Sequence, residues 1–187
     1  KMLASLLQAS GMLHPQLKEF EGSVPVLVPV GIDQDPHLRL ARDISKRIKD
    51  LKLIQLSSTY NLFLPGLSGG KMSASNANSY ISLVDSPKEV ERKIKKYAFS
   101  GGRKTLDEHR KKGGNPDVDV SFQYLKFLFE EDDNKLKEIE KKYRSGEMLT
   151  SELKQITIDK INAFLKIHQS KRKKAKSKVK DFVYNSK

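Results

Sequence analysis

The segment VPVLVPVGIDQDPHLRLARDI, residues 24–44, limits the possible folds more than any other stretch of the chain. Val24 to Val30 is a short apolar run with proline at alternate turns of the pattern, and it stops at Gly31-Ile32-Asp33-Gln34. Beyond that turn Leu38, Ala41, Ile44, Ile48 and Leu51 recur on one face of a helix, with Asp35 suited to the N-cap and Pro36 to the first helical position. Strand, tight turn and amphipathic helix are the unit of an α/β fold. In open sheets of this kind ligands collect beyond the carboxyl ends of the strands, where the turn falls. Gly31 lets a ligand approach the backbone closely. Asp33 and Gln34 offer a carboxylate and an amide to hydroxyl or amino groups, while Asp35 is expected only to cap the helix.

A second stretch, LSGGKMSASNAN from Leu67 to Asn78, has a different character. It lies between runs that can bury themselves, LIQLSSTYNLFLPG before it and YISLV after it, yet it holds almost nothing but small or hydroxyl side chains around one lysine. A solvated loop would have this composition. So would a phosphate site, which needs backbone N–H groups, hydroxyls and a cation. The P-loop pattern fails at two positions: with Gly70-Lys71 as its Gly-Lys, the leading glycine falls on Pro65 and the hydroxyl on Met72. Ser73 to Ser79 is also too rich in serine and asparagine to propagate the helix a P-loop opens.

From Ser86 onward the composition turns helical. Ser86 and Glu89 form a capping box with Pro87 at the first helical position, and this helix is expected to run to the pair Gly101-Gly102. Further helices are expected over Val118 to Glu131, over Asn134 to Arg144 with Gly146 as the stop, and beyond Thr150 as a cap, with Leu153, Ile158, Ile161, Leu165 and Ile167 apolar. A domain boundary is therefore expected near Asp85, dividing residues 1–85 from 86–187. The formal net charge is +13, and KRKKAKSKVK from Lys171 to Lys180 holds seven basic residues and no acid. Such a run is either a solvated helix face or a surface for nucleic acid phosphates.

Several classes are excluded. With no cysteine there are no disulfides and no thiolate metal sites, which fits a reducing compartment. No apolar run approaches the roughly 20 residues of a membrane span, and KMLASLLQASGML lacks the pattern of a signal peptide. No membrane partner and a cytoplasmic location are expected. His37, His109 and His168 show no metal-ligand spacing, so no metal site is expected and these histidines are read as structural or solvent-facing.

Lys71-Met72-Ser73-Ala74-Ser75 resembles the KMSKS signature of class I aminoacyl-tRNA synthetases. The strand and Gly-x-Asp-Gln turn at residues 24–44 resemble those of the tryptophanyl-tRNA synthetase family, and AFSGGRKTLDEHRKKGGNPDVDVSFQYL resembles the start of that family's C-terminal helical domain. Tyrosyl enzymes have the first two features in related form. The resemblance runs in family order from about Ala4 to Val183, and Ala74 is the variant associated with the archaeal and eukaryotic kind.

The resemblance implies the C-terminal part of a Rossmann-like parallel-sheet catalytic domain over residues 1–85, and an all-helical anticodon-binding domain over residues 86–187. It implies a tryptophan–tRNA ligase that activates tryptophan with ATP and Mg2+, uses no bound prosthetic group, transfers the product to tRNA(Trp), and is a homodimer when complete. Lys71, Ser73 and Ser75 would be catalytic; Gly31, Asp33, Gly70, Lys71, Met72 and Ser73 would bind ATP; Gln34 and Gln8 would bind tryptophan; Phe99, Gly101, Gly102 and Arg103 would bind tRNA. The His-x-Gly-His-type motif of class I enzymes is missing around all four histidines, so the chain corresponds to the half with the lysine loop and is expected to be inactive alone. The rival expectations are a non-catalytic basic RNA-binding module and a tyrosyl-tRNA synthetase, against which GGRKTLDEHRKKGGNPDVDVSF argues.

Overall fold

In the computed structural model, residues Met2–Phe182 are described, with no side-chain description for Met2, Lys180 and Asp181. Val183, where the resemblance ends, lies outside the described residues. The chain forms two compact units, residues 1–63 and 64–187.

The first unit runs α1 (Met2–Leu13), β1 (Leu27–Gly31), α2 (Asp35–Arg47) and β2 (Ser57–Asn61). β1 and β2 pair in parallel, with Leu27 opposite Ser57 and Gly31 opposite Asn61. The strand begins at Leu27 rather than Val24, and it accommodates Pro29 opposite Thr59. Leu38 and Ala41 on the inner face of α2 have no exposed surface and pack with Ala9, Leu13 and Leu56. Gln16 is buried and ties the unit together by pairing in both directions with Ile54, its amide donating to the carbonyl at 3.0 Å and accepting the N–H at 2.7 Å.

Two expectations about α2 need correction. Asp35 is not its N-cap. Ile32–Gln34 form a 3-10 turn that feeds directly into the helix, so Asp35 already has helical angles and Gln34 stands at the cap without a side-chain bond to the helix N–H groups. The Asp35 carboxylate instead accepts from the Tyr60 hydroxyl on β2 and from Arg39 Nε, and the hydrogen bond from Tyr60, with help from Arg39, holds it below the usual carboxylate range. Ile48 and Leu51 also leave the buried face, because the helix stops at Arg47.

The second unit begins with the lysine loop and continues as α3 (Pro87–Tyr97), α4 (Leu106–Lys112), α5 (Val120–Tyr124), α6 (Asp133–Ser145) and α7 (Thr150–Lys176), with α5 prolonged by a π turn at Leu125–Phe129. Leu67, Val90, Ile94, Val120, Tyr124, Ile158, Ile161 and Leu165 form one core, and Phe122, Leu125, Ile139, Tyr143 and Leu153 a second. Ser86 caps α3 by accepting the Glu89 N–H at 3.2 Å, and Gly146, at φ 80°, closes α6 in the left-handed conformation.

Here too the structure departs from expectation. α3 ends at Tyr97 rather than at Gly101-Gly102. α4, capped by Thr105, was not foreseen. Thr150 is the first residue of α7 and not its cap; Leu149 holds the cap position, and its N–H is taken by the Glu152 carboxylate at 2.6 Å. The compact units divide between Phe63 and Leu64 instead of near Asp85. The cause is apolar: Leu67 is fully buried in the helical core, and Leu64, Met72 and Ile81 pack against it. The fold is thus α/β with a small parallel sheet and many helices. Among the described residues no helix is long and apolar enough to cross a membrane.

Candidate functional site

The turn in the first unit gathers four of the expected residues. Gly31 closes β1, and a Cβ placed on it would stand 2.9 Å from Asp33 Oδ1 and 3.0 Å from the Phe63 ring, so a larger residue would push those two side chains aside. Asp33 is exposed. Gln34 accepts a hydrogen bond from the Gln8 side-chain amide, which α1 brings across from 26 residues earlier. The two glutamines form one polar pair at the carboxyl end of β1, whereas the sequence offered them as separate candidates.

The lysine loop is a closed turn on a buried stem. At its neck the Gly66 N–H donates to the Gly70 carbonyl at 2.6 Å and the Leu67 N–H to the Ser79 carbonyl at 2.8 Å. Gly69 adopts φ +85°, which explains a glycine there. Ser79 is buried and holds the tip: its hydroxyl accepts the Ser73 N–H at 3.0 Å and lies 3.0 Å from the Ser73 carbonyl and 2.7 Å from that of Asn76. Nothing in the spacing singled out Ser79, because its work is done by folding back six residues. The tip carries Ser73 Oγ and Ser75 Oγ side by side at 2.8 Å. Lys71 is exposed, and among the described residues no carboxylate pairs with it. Met72 is half-buried against the helical core. Tyr124 donates to the Pro65 carbonyl at 3.1 Å, and burial pushes its phenol up to about 12, so it stays a donor.

The segment Ala98 to Arg103 lies against this loop. The Phe99 N–H donates to the Leu67 carbonyl at 2.7 Å and the Val120 N–H to the Phe99 carbonyl at 3.1 Å. The Phe99 ring remains 51% exposed, enough to offer a stacking face. Arg103 is exposed and uses Nε on the Gly113 carbonyl at 3.0 Å. The two glycines differ from their expected role. Gly101 is buried, and a Cβ on it would lie 1.9 Å from the Asn115 carbonyl oxygen; on Gly102 it would lie 2.2 Å from Thr150 Oγ1. Both are there for close packing, and Gly101 offers no surface to a partner.

Lys171, Arg172, Lys173, Lys174, Lys176 and Lys178 are exposed at the end of α7 and just beyond it; Lys180, the last of the run, has its side chain outside the described residues. His109 is buried and bonds the Met148 carbonyl at 2.9 Å, a packing role. Among the described residues no group of three or more His, Asp or Glu is arranged to hold a metal.

These features can be set beside known proteins. The family described as tRNA synthetases class I (W and Y) matches residues 4–166. A tryptophan–tRNA ligase of Saccharolobus solfataricus is 58% identical over 163 residues, covering 86% of this chain and 42% of that protein. The cytoplasmic tryptophan–tRNA ligase of Homo sapiens is 48% identical over 172 residues, covering 90% of this chain and 36% of its own length. The crystal structure of tryptophanyl-tRNA synthetase from Aeropyrum pernix K1 superposes with a TM-score of 0.89 at 42% identity, covering 100% of this chain and 51% of that one. The chain therefore spans about half or less of the relatives it matches. A lysine loop closed by Ser79 and seated on a helical core through Leu67 and Met72, a glycine-ended strand opening into a helix, and matched sequence over most of the chain lead to one assignment: this chain belongs to the class I tRNA synthetases (W and Y).

Proposed function

We propose that this chain is the lysine-loop part of a tryptophan–tRNA ligase, working in the cytoplasm and completed by the further length that its relatives carry. The observation that carries this reading is Lys71, exposed and unpaired among the described residues, on a closed loop whose Ser73 and Ser75 hydroxyls stand 2.8 Å apart. The names of the relatives support the choice of tryptophan over tyrosine.

In the first half-reaction the tryptophan carboxylate attacks the α-phosphorus of ATP, and negative charge grows on the departing pyrophosphate. Lys71 supplies the countercharge, Ser73 and Ser75 supply neutral donors, and the main chain at Gly70 and Met72 supplies N–H groups. No protein nucleophile is needed. The Gly31 turn with Asp33 serves the nucleotide, and the Gln8–Gln34 pair serves tryptophan through side-chain amides. Mg2+ would arrive with the phosphates, and no step depends on it here. For the second half-reaction Phe99 offers a stacking surface and Arg103 a planar donor to an unpaired anticodon base, with Gly102 beside them. The helical unit is then the anticodon-binding part, and the complete enzyme a homodimer.

The test is Lys71→Ala in a polypeptide of the relatives' full length. Tryptophan-dependent ATP–pyrophosphate exchange should fall by roughly 10² to 10³, about 2.7–4 kcal/mol for one lost transition-state donor, with tryptophan affinity changed much less. Full exchange at saturating tryptophan with only the affinity reduced would remove Lys71 from the chemistry.

A further inference from the structure

Asp119 has no exposed surface, and among the described residues no lysine, arginine or histidine pairs with it. A buried carboxylate in that position has to be fully hydrogen-bonded. Its two oxygens divide the task. Oδ1 caps α5, accepting the Ser121 N–H at 2.9 Å and the Phe122 N–H at 3.3 Å. Oδ2 turns away from the helix and accepts the Gly101 N–H at 2.8 Å and the Tyr143 hydroxyl at 2.8 Å. Capping α5 needs only the first oxygen. The second reaches the loop that carries Phe99 and Arg103.

That loop is held at each neighbouring group as well. Lys154 donates to the Ala98 carbonyl at 3.0 Å, the Val120 N–H to the Phe99 carbonyl at 3.1 Å, and the Asn115 N–H to the Gly101 carbonyl at 2.8 Å. Gly101, midway in the chain between Phe99 and Arg103, is thus held twice, by the Asn115 main chain and by Asp119, and of the two only Asp119 acts through a side chain. We propose that Asp119 is a positioning residue for RNA selection: its Oδ2 fixes Gly101, so that Phe99 and Arg103 meet an unpaired base in one geometry. The proposal rests on the reading that this loop contacts tRNA.

Asp119→Asn isolates the effect. The asparagine oxygen still caps α5, where two N–H groups wait, and its NH2 then faces the Gly101 N–H as donor against donor, while Tyr143 can turn to accept. Asp119→Ser is the companion, since its hydroxyl caps α5 but is too short for Gly101. Binding of this chain to a tRNA(Trp) transcript and to the same transcript with an altered anticodon would be measured over a range of salt. In both variants the preference for the unaltered anticodon should fall at least tenfold, with affinity for the altered transcript and the salt slope unchanged. Phe99→Ala and Arg103→Ala should show the same loss. If those two lose the preference and both Asp119 variants keep it, the positioning role is wrong. If neither Phe99→Ala nor Arg103→Ala loses it, the assignment of the loop to tRNA fails. Equal weakening toward both transcripts, or unfolding of both Asp119 variants, makes Asp119 a stability residue only and overturns the proposal.

Discussion

Lys93 illustrates how much one residue can hold in a fold this small. Its side chain is only 4% exposed; the ammonium lies 2.7 Å from Asp85 and donates to the Tyr80 carbonyl at 3.2 Å. Asp85 in turn accepts the Ser82 N–H at 2.9 Å, so one buried pair fastens the far end of the lysine loop to α3. Removing one partner leaves an uncompensated charge, whereas replacing both with apolar groups can be close to neutral. Lys93→Ala should therefore cost about 3 kcal/mol in urea unfolding followed by circular dichroism. Lys93→Met with Asp85→Leu should recover most of that loss. A double variant no more stable than Lys93→Ala would show that the lysine acts through its packed stem and not through its charge. The sequence hid this pair: a lysine and an aspartate at such spacing look like two ordinary surface residues, and only the wrap of residues 80–85 around α3 buries them. Asp119 was hidden for the same reason, since its donors Gly101 and Tyr143 stand 18 and 24 residues away.

At the level of elements, local chemistry was legible where a side chain acts within its own turn. Ser86 at the start of α3 and Gly146 at the end of α6 do what their positions announce. α4 escaped because LDEHRKK has no apolar period; it is a helix through its Thr105 cap and through His109, which is buried on the Met148 carbonyl. β2 escaped because Ser57–Asn61 is mostly polar and gains strand character only from pairing with β1. The junction of the π turn with α7 permits a test by pH. Glu130 has a side chain only 5% exposed, and Lys160 on α7 lies 2.9 Å from it. The hydrogen bond from Lys160, aided by the Asp132 N–H, lowers the Glu130 pKa. A carboxylate with a folded pKa below its unfolded value, about 4.3, adds stability above that value and loses it as pH falls through the folded one. The parent chain should thus melt higher than Glu130→Gln at neutral pH, and the gap should close as pH drops below about 4. A gap that stays constant down to the acid transition would mean that the pair adds nothing through charge.

For the whole molecule, the family was legible in sequence because its motifs are short, ordered and tied to backbone turns; the division of the chain was not, because packing and not composition sets it. Composition changes at Asp85, but Leu67 and Met72 already belong to the helical core. The first unit is the less finished of the two. Among the described residues its sheet has only two strands, and Leu3 on α1, Leu27 on β1 and Leu62 just after β2 are exposed. Unpaired strand edges and exposed apolar groups favour association. Sedimentation of this chain should show concentration-dependent self-association. Adding a polypeptide with the remaining length of its relatives should displace the self-associated form, with tryptophan-dependent exchange appearing only in the mixture. A chain that stays monomeric at high concentration, or that sustains exchange alone, would contradict this. The position of the divide also bears on recombination between related enzymes. A crossover at Asp85 would inherit the lysine loop from one parent and the core that seats Leu67 and Met72 from the other. A crossover between Phe63 and Leu64 passes both on together, so chimeras joined there should keep a shaped loop even when the parents have diverged in their helices.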